Sequence, residues 1–183
     1  MEYRAVGLVE LNSVAKGVQA ADEMLKAANV ELILARPVCP GRYLAMVVGD
    51  TGAVKSAVHA GREVAPELLV DSFVIPNIHP AVMPALGCVS TVTQIKAVGL
   101  IETYSTASCI LAADAAVKAA DVVLLEIRFA TGLAGKSFAS LTGNVGAVQA
   151  AVKAGVSVLE SSGLVLAHVV IPSPHKDLHQ KLL

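Results

Sequence analysis

The chain repeats itself, and the repeat limits its fold more than any other feature. Ala5-Val6-Gly7-Leu8-Val9-Glu10 returns as Ala97-Val98-Gly99-Leu100-Ile101-Glu102, ninety-two positions later. At the same offset Ala21-Asp22 matches Ala113-Asp114, Lys26-Ala27-Ala28 matches Lys118-Ala119-Ala120, and Arg36 matches Arg128. The second copy then gains two residues. Gly41 pairs with Gly135, Gly49 with Gly143, Gly52-Ala53-Val54 with Gly146-Ala147-Val148, and Ala60-Gly61 with Ala154-Gly155. Near the ends, Ile75-Pro76 and His79 return as Ile171-Pro172 and His175. Colinear matches of this kind mark a duplicated supersecondary unit of about 90 residues. The sequence therefore divides into a first domain over residues 1–90 and a second over 91–183, joined around Leu86 to Lys96.

Each copy reads the same way. An apolar strand, Ala5 to Leu11, leads into Asn12-Ser13, which can cap a following helix. That helix, Val14 to Ala28, carries Val14, Val18, Ala21 and Leu25 at helical spacing on one face, with Asn29 as the left-handed residue past its end. Strands Val30 to Val38 and Arg42 to Val48 follow, joined by the turn Cys39-Pro40-Gly41. Gly49-Asp50-Thr51-Gly52 starts a second helix that ends near Glu63, and a last strand runs from Leu68 to Ile75 before Pro76. The fold class is α/β of the α+β kind: a split β-α-β-β-α-β unit, used twice.

Composition narrows the function. Apolar residues make up 55% of the chain and aromatics 3%, with no Trp, so the surplus is Ala, Val, Leu and Ile. With only 16% charged residues, a lone monomer has little polar surface to show water, and burial between subunits is expected. The net charge of −1 offers no footprint for nucleic acid and no basic face for a membrane. Apolar runs are strand-length, and the first residues lack a secretory pattern. Cys39, Cys88 and Cys109 are odd in number and widely spaced, which fits a reducing, cytoplasmic setting.

Taken together, Ala-Val-Gly-Leu-Val-Glu, the stretch Ala21 to Val30, and Gly49 to Val54, in order and twice, resemble the bacterial microcompartment shell domain. Two copies in one chain resemble the tandem-domain shell proteins. The turn Val38-Cys39-Pro40-Gly41 and the tail Ile171-Pro172-Ser173-Pro174-His175 are most similar to the T-type shell proteins of propanediol-utilising compartments. The likeness runs from about Arg4 to His179.

This resemblance implies a cyclic homotrimer that mimics a hexamer and packs with other shell proteins into the facets of a microcompartment. It implies a central pore lined by the turn between the second and third strands of each copy: Val38, Cys39, Pro40 and Gly41 in the first, Ala130, Thr131, Gly132 and Leu133 in the second. It implies Lys26 and Lys118 at the tile edge. It also implies a 4Fe–4S cluster, one per trimer, held on the three-fold axis by three Cys39 side chains, since Thr131 takes the equivalent place in the second copy. An encapsulated or cytosolic redox protein would then be the electron partner.

Residue chemistry alone is less specific. Such a cluster normally takes four thiolates at short spacings, and no Cys-x-x-Cys is present. A residue beside a three-fold axis, however, is present three times. Pro40 restricts Cys39 to extended backbone and Gly41 permits a tight turn. Cys88, in the linker, and Cys109, on a helix, read as small apolar residues. Lys26 and Lys118 also suit a helix C-terminus without any edge role. His79 and His175 read as surface groups. Arg42 and Lys136 flank the turns, either as pore-mouth cations or as solvated charges. Thr131 to Lys136 lacks the spacing of a phosphate loop. No catalytic constellation emerges, and Glu10 and Glu102 read as structural, so no enzyme is expected. A plain metabolite-conducting tile with an unliganded Cys39 stays open, as does a small-molecule-binding regulatory oligomer on the same β-α-β-β-α-β plan.

Overall fold

The computed structural model describes residues 5–87, 92 and 94–178. The first repeat contains β1 (Ala5–Leu11), α1 (Val14–Ala27), β2 (Glu31–Val38), β3 (Arg42–Gly49), α2 (Thr51–Glu63) and β4 (Leu69–Pro76). A short helix, α3 (Val82–Leu86), follows. The second repeat contains β5 (Ala97–Thr103), α4 (Thr106–Ala119), β6 (Val122–Arg128), β7 (Ser137–Gly143), α5 (Val145–Ser157) and β8 (Val165–Ile171). The duplicated β-α-β-β-α-β order expected from the repeat is present in full.

The chain separates into two compact units. The first runs to Ile78 and also includes Ala130–Gly135; the second begins at His79 and holds the remainder. Each unit has one four-stranded sheet, ordered β2-β3-β1-β4 in the first and β6-β7-β5-β8 in the second. All the pairings are antiparallel, and β1 lies centrally with Val9 opposite Ala45 on β3 and Ser72 on β4. In the first unit, the core forms where α1 and α2 cover one sheet face, through Val9, Leu11, Ala20, Met24, Val47, Val54 and Val58. Gly7 makes close packing possible there, because a β-carbon on it would lie 2.4 Å from the Val58 side chain. Its repeat partner Gly99 has the same relation to Val152, at 2.6 Å.

Two local expectations are corrected. Asn29 does not end the first helix in a left-handed conformation; Ala28 caps it in an extended one, with φ −159°. The buried face of α1 is also not Val14, Val18, Ala21 and Leu25. Gly17, Ala20, Ala21 and Met24 face inward, while Val14, Val18 and Leu25 are exposed. Small residues win that position because Gly17 lies directly on Tyr43, where any β-carbon would stand 2.2 Å from the Tyr43 β-carbon. The cap is as expected: the Ser13 hydroxyl accepts from the Lys16 N–H at 3.3 Å, and Ser105 from the Ser108 N–H at 3.0 Å.

Candidate functional site

The turn between β2 and β3 spans Cys39 to Gly41 and is closed by the Gly41 N–H donating to the Val38 carbonyl at 3.0 Å. Val38 is buried, anchoring one end, whereas Cys39, Pro40 and Gly41 are exposed. The Cys39–Pro40 peptide is cis, and Gly41 has φ +95°, a region that favours glycine. The thiol thus sits on a short, anchored loop and faces solvent.

Ala130–Gly135, part of the same compact unit, supports this turn. Arg42, the residue after the turn, donates from Nη1 to the Glu10 carboxylate at 2.9 Å and to the Gly135 carbonyl at 3.0 Å. Glu10 is fully buried on the central strand, so this guanidinium balances a charge withdrawn from water. Gly135 has φ +87°, and a β-carbon on it would come within 3.1 Å of Pro40. Arg36 reaches the Thr131 hydroxyl at 3.5 Å. Within the segment Ala130 is buried, Leu133 half-buried, and Thr131 and Gly132 exposed. Arg42 is therefore a bracing group within the fold rather than a solvated charge on a sheet face. Lys136, its counterpart in the second unit, lies 3.8 Å from Glu102, with both side chains partly exposed.

Cys109 is buried on α4, and Cys88 lies outside the described residues. Among the described residues, no group of three or more His, Cys, Asp or Glu side chains within the chain can hold a metal. Among the described residues Cys39 is the exposed thiol, so a thiolate-bound cluster built from them needs several copies each contributing Cys39.

The two repeated lysines differ in their surroundings. Lys26 is exposed and pairs with Asp22; that hydrogen bond, followed by the carboxylate's charge, holds its amine above the usual lysine range. Lys118 pairs with Asp114 at 2.6 Å, and Asp114 is buried and also accepts the His79 N–H at 2.8 Å. His79 and His175 both turn Nδ1 back onto a backbone N–H two residues ahead, at 3.2 and 3.3 Å. Sequence reasoning missed the Glu10–Arg42–Gly135 bridge. The recurrence of Glu10 was its only signal, and nothing in the sequence linked it to Arg42.

The chain is thus a doubled α/β unit with an anchored turn in its first copy and exposed apolar residues on α1. The BMC domain model matches residues 5–78 and 97–174, one match per repeat. The chain belongs to the BMC-domain family, the shell proteins of bacterial microcompartments, in tandem-domain form. It is 43% identical to the bacterial microcompartment shell protein PduT of Citrobacter freundii over 98% of both chains. It is 30% identical to the carboxysome assembly protein CcmO of Synechocystis sp., over 97% of this chain and 64% of that one. A crystal structure of a microcompartment protein from Desulfitobacterium hafniense superposes with a TM-score of 0.84 and 49% identity, covering 96% of this chain and 98% of the other. A fused permuted hexameric shell protein of the RMM microcompartment, at 23% identity and a TM-score of 0.66, shares the fold, over 85% and 81% of the two chains. The protein is a structural component of a microcompartment shell, similar to PduT. No helix among the described residues is long and apolar enough to cross a membrane.

Proposed function

We propose that three copies close into a trimeric facet tile in which residues 1–90 and 91–183 alternate as six shell domains. The turns Val38 to Gly41 and Ala130 to Leu133 line its central pore, and Lys26 and Lys118 lie towards neighbouring tiles. Three Cys39 thiolates, one per chain, hold a 4Fe–4S cluster on the axis, leaving one iron for a non-protein ligand. When bound, the cluster supplies one-electron chemistry, suited to electron transfer or redox sensing across the shell with an encapsulated or cytosolic redox protein.

The observation that carries this reading is the contrast between two cysteines. Cys109 is packed inside a helix layer, while Cys39 is exposed on a turn braced by Arg42 and Gly135. Val38 anchors the loop, Gly41 permits its curvature, and the Glu10–Arg42 pair keeps the end of β3 in place. These residues fix the loop that carries the thiol, the kind of support that a shared site needs.

Iron and sulfide analysis of anaerobically purified protein tests the reading. About four irons per three chains, absent in Cys39→Ser, is the expected result. Iron-free protein after reconstitution would replace it with a tile whose open pore conducts small metabolites.

A further inference from the structure

The helices α1 and α4 are the same element in two repeats, yet they meet solvent differently. On α1 the stripe Val14, Val18, Asp22 and Leu25 is bare: Val18 is 52% exposed and the Asp22 side chain 56%. The counterparts on α4 are Thr106, Ile110, Asp114 and Val117, all buried, with Ile110 at 0% and the Asp114 side chain at 6%. Within the second unit, an extra layer lies on α4. The segment after β4 brings α3 against α4 and β6, and fixes its start by the bond from the His79 N–H to Asp114.

A segment able to do the same for α1 must follow the other equivalent strand, β8. It exists as Pro172 to Leu178, ninety-six positions after Pro76 to Val82, and it makes the same hydrogen bonds around its histidine. The His175 Nδ1 accepts the Asp177 N–H as His79 accepts that of Ala81. The Leu178 N–H donates to the His175 carbonyl at 2.9 Å, as Val82 does to His79 at 3.0 Å. But Leu178 is 38% exposed, whereas Val82 is fully buried. Among the described residues the α1 stripe and Leu178 are both bare, which is the surface that a neighbouring copy would cover.

We propose that Pro172 to Leu178 of one copy docks on α1 of the next copy. The His175 N–H then bonds the neighbour's Asp22, and Leu178 packs on the apolar stripe in the way that Val82 packs in the second unit. Every copy gives one segment and receives one, a head-to-tail contact that closes when the rotation closes. This inference rests on the ring-shaped tile proposed above and adds the contact that joins its members. Asp22 then has a partner beyond Lys26, as Asp114 has one beyond Lys118.

Two versions of the full chain, one carrying Asp22→Cys and a size tag, the other His175→Cys, are co-expressed and mildly oxidised. The control pair substitutes Lys55→Cys, on the exposed side of α2, for Asp22→Cys. The expected result is a mixed disulfide dimer on denaturing gels, absent in the control pair, from protein that is trimeric by native mass. A trimer without the mixed disulfide would overturn the docking and leave the tile reading standing. A chain carrying both cysteines that closes on itself would overturn it too, by placing the segment on its own α1. Monomeric protein would overturn both.

Discussion

Glu10 has no surface in contact with water, and a carboxylate so placed is tolerated only with a charge partner and hydrogen bonds. Arg42 supplies both and passes a further bond to the Gly135 carbonyl. Truncation as Arg42→Ala leaves the carboxylate buried and alone, and should cost about 3 kcal/mol in urea unfolding. Arg42→Ala combined with Glu10→Gln should recover much of that loss; equal instability of the single and double variants would show that the pair is not what holds the turn. The repeat makes Glu10 visible as a duplicated acid, but the bridge is invisible in sequence because its members lie 32 and 93 residues apart. The second copy is no guide either, since Glu102 and Lys136 form a longer, more exposed pair.

At the level of elements, strand and helix order was legible because alternating apolar runs and capping serines occur twice, so each copy checks the other. Helix orientation was not. Counting large apolar residues put Val14, Val18 and Leu25 inside, whereas α1 lies so close to β3 at Gly17 that no β-carbon fits there, and Gly17, Ala20, Ala21 and Met24 form the buried face. The second repeat solves the same contact differently: Cys109 replaces Gly17 and Ser137 replaces Tyr43, so volume moves from strand to helix. Gly17→Ala is therefore expected to destabilise the fold by about 1–3 kcal/mol, through a clash with the inflexible start of the Tyr43 side chain. Adding Tyr43→Ser, which imitates the second copy, should relieve part of it in thermal or urea unfolding. If Gly17→Ala alone is neutral, helix and strand are not packed as tightly as described. The same exchange gives buried Cys109 a packing role and leaves Cys39 as the exposed thiol among the described residues.

For the whole molecule, an apolar content of 55% with 16% charge already pointed to association, and the folded chain shows where some of that surplus lies. Val14, Val18 and Leu25 on α1, Leu166 and Val169 on β8, and Leu178 beyond it are all exposed. Two similar domains in one chain supply two nearly equivalent edges, so the proposed three-fold ring would present six to its neighbours. The ring and the cluster proposed above would both depend on residues that meet their partners only across copies, which is why the sequence of one chain and its internal contacts carry so little of them. Native mass spectrometry of anaerobically purified protein tests both together. The expected result is a particle of three 18.7 kDa chains carrying the added mass of one iron–sulfur cluster, which Cys39→Ser removes while the three chains stay together. A monomer, or a trimer of unmodified chain mass under those conditions, would contradict it.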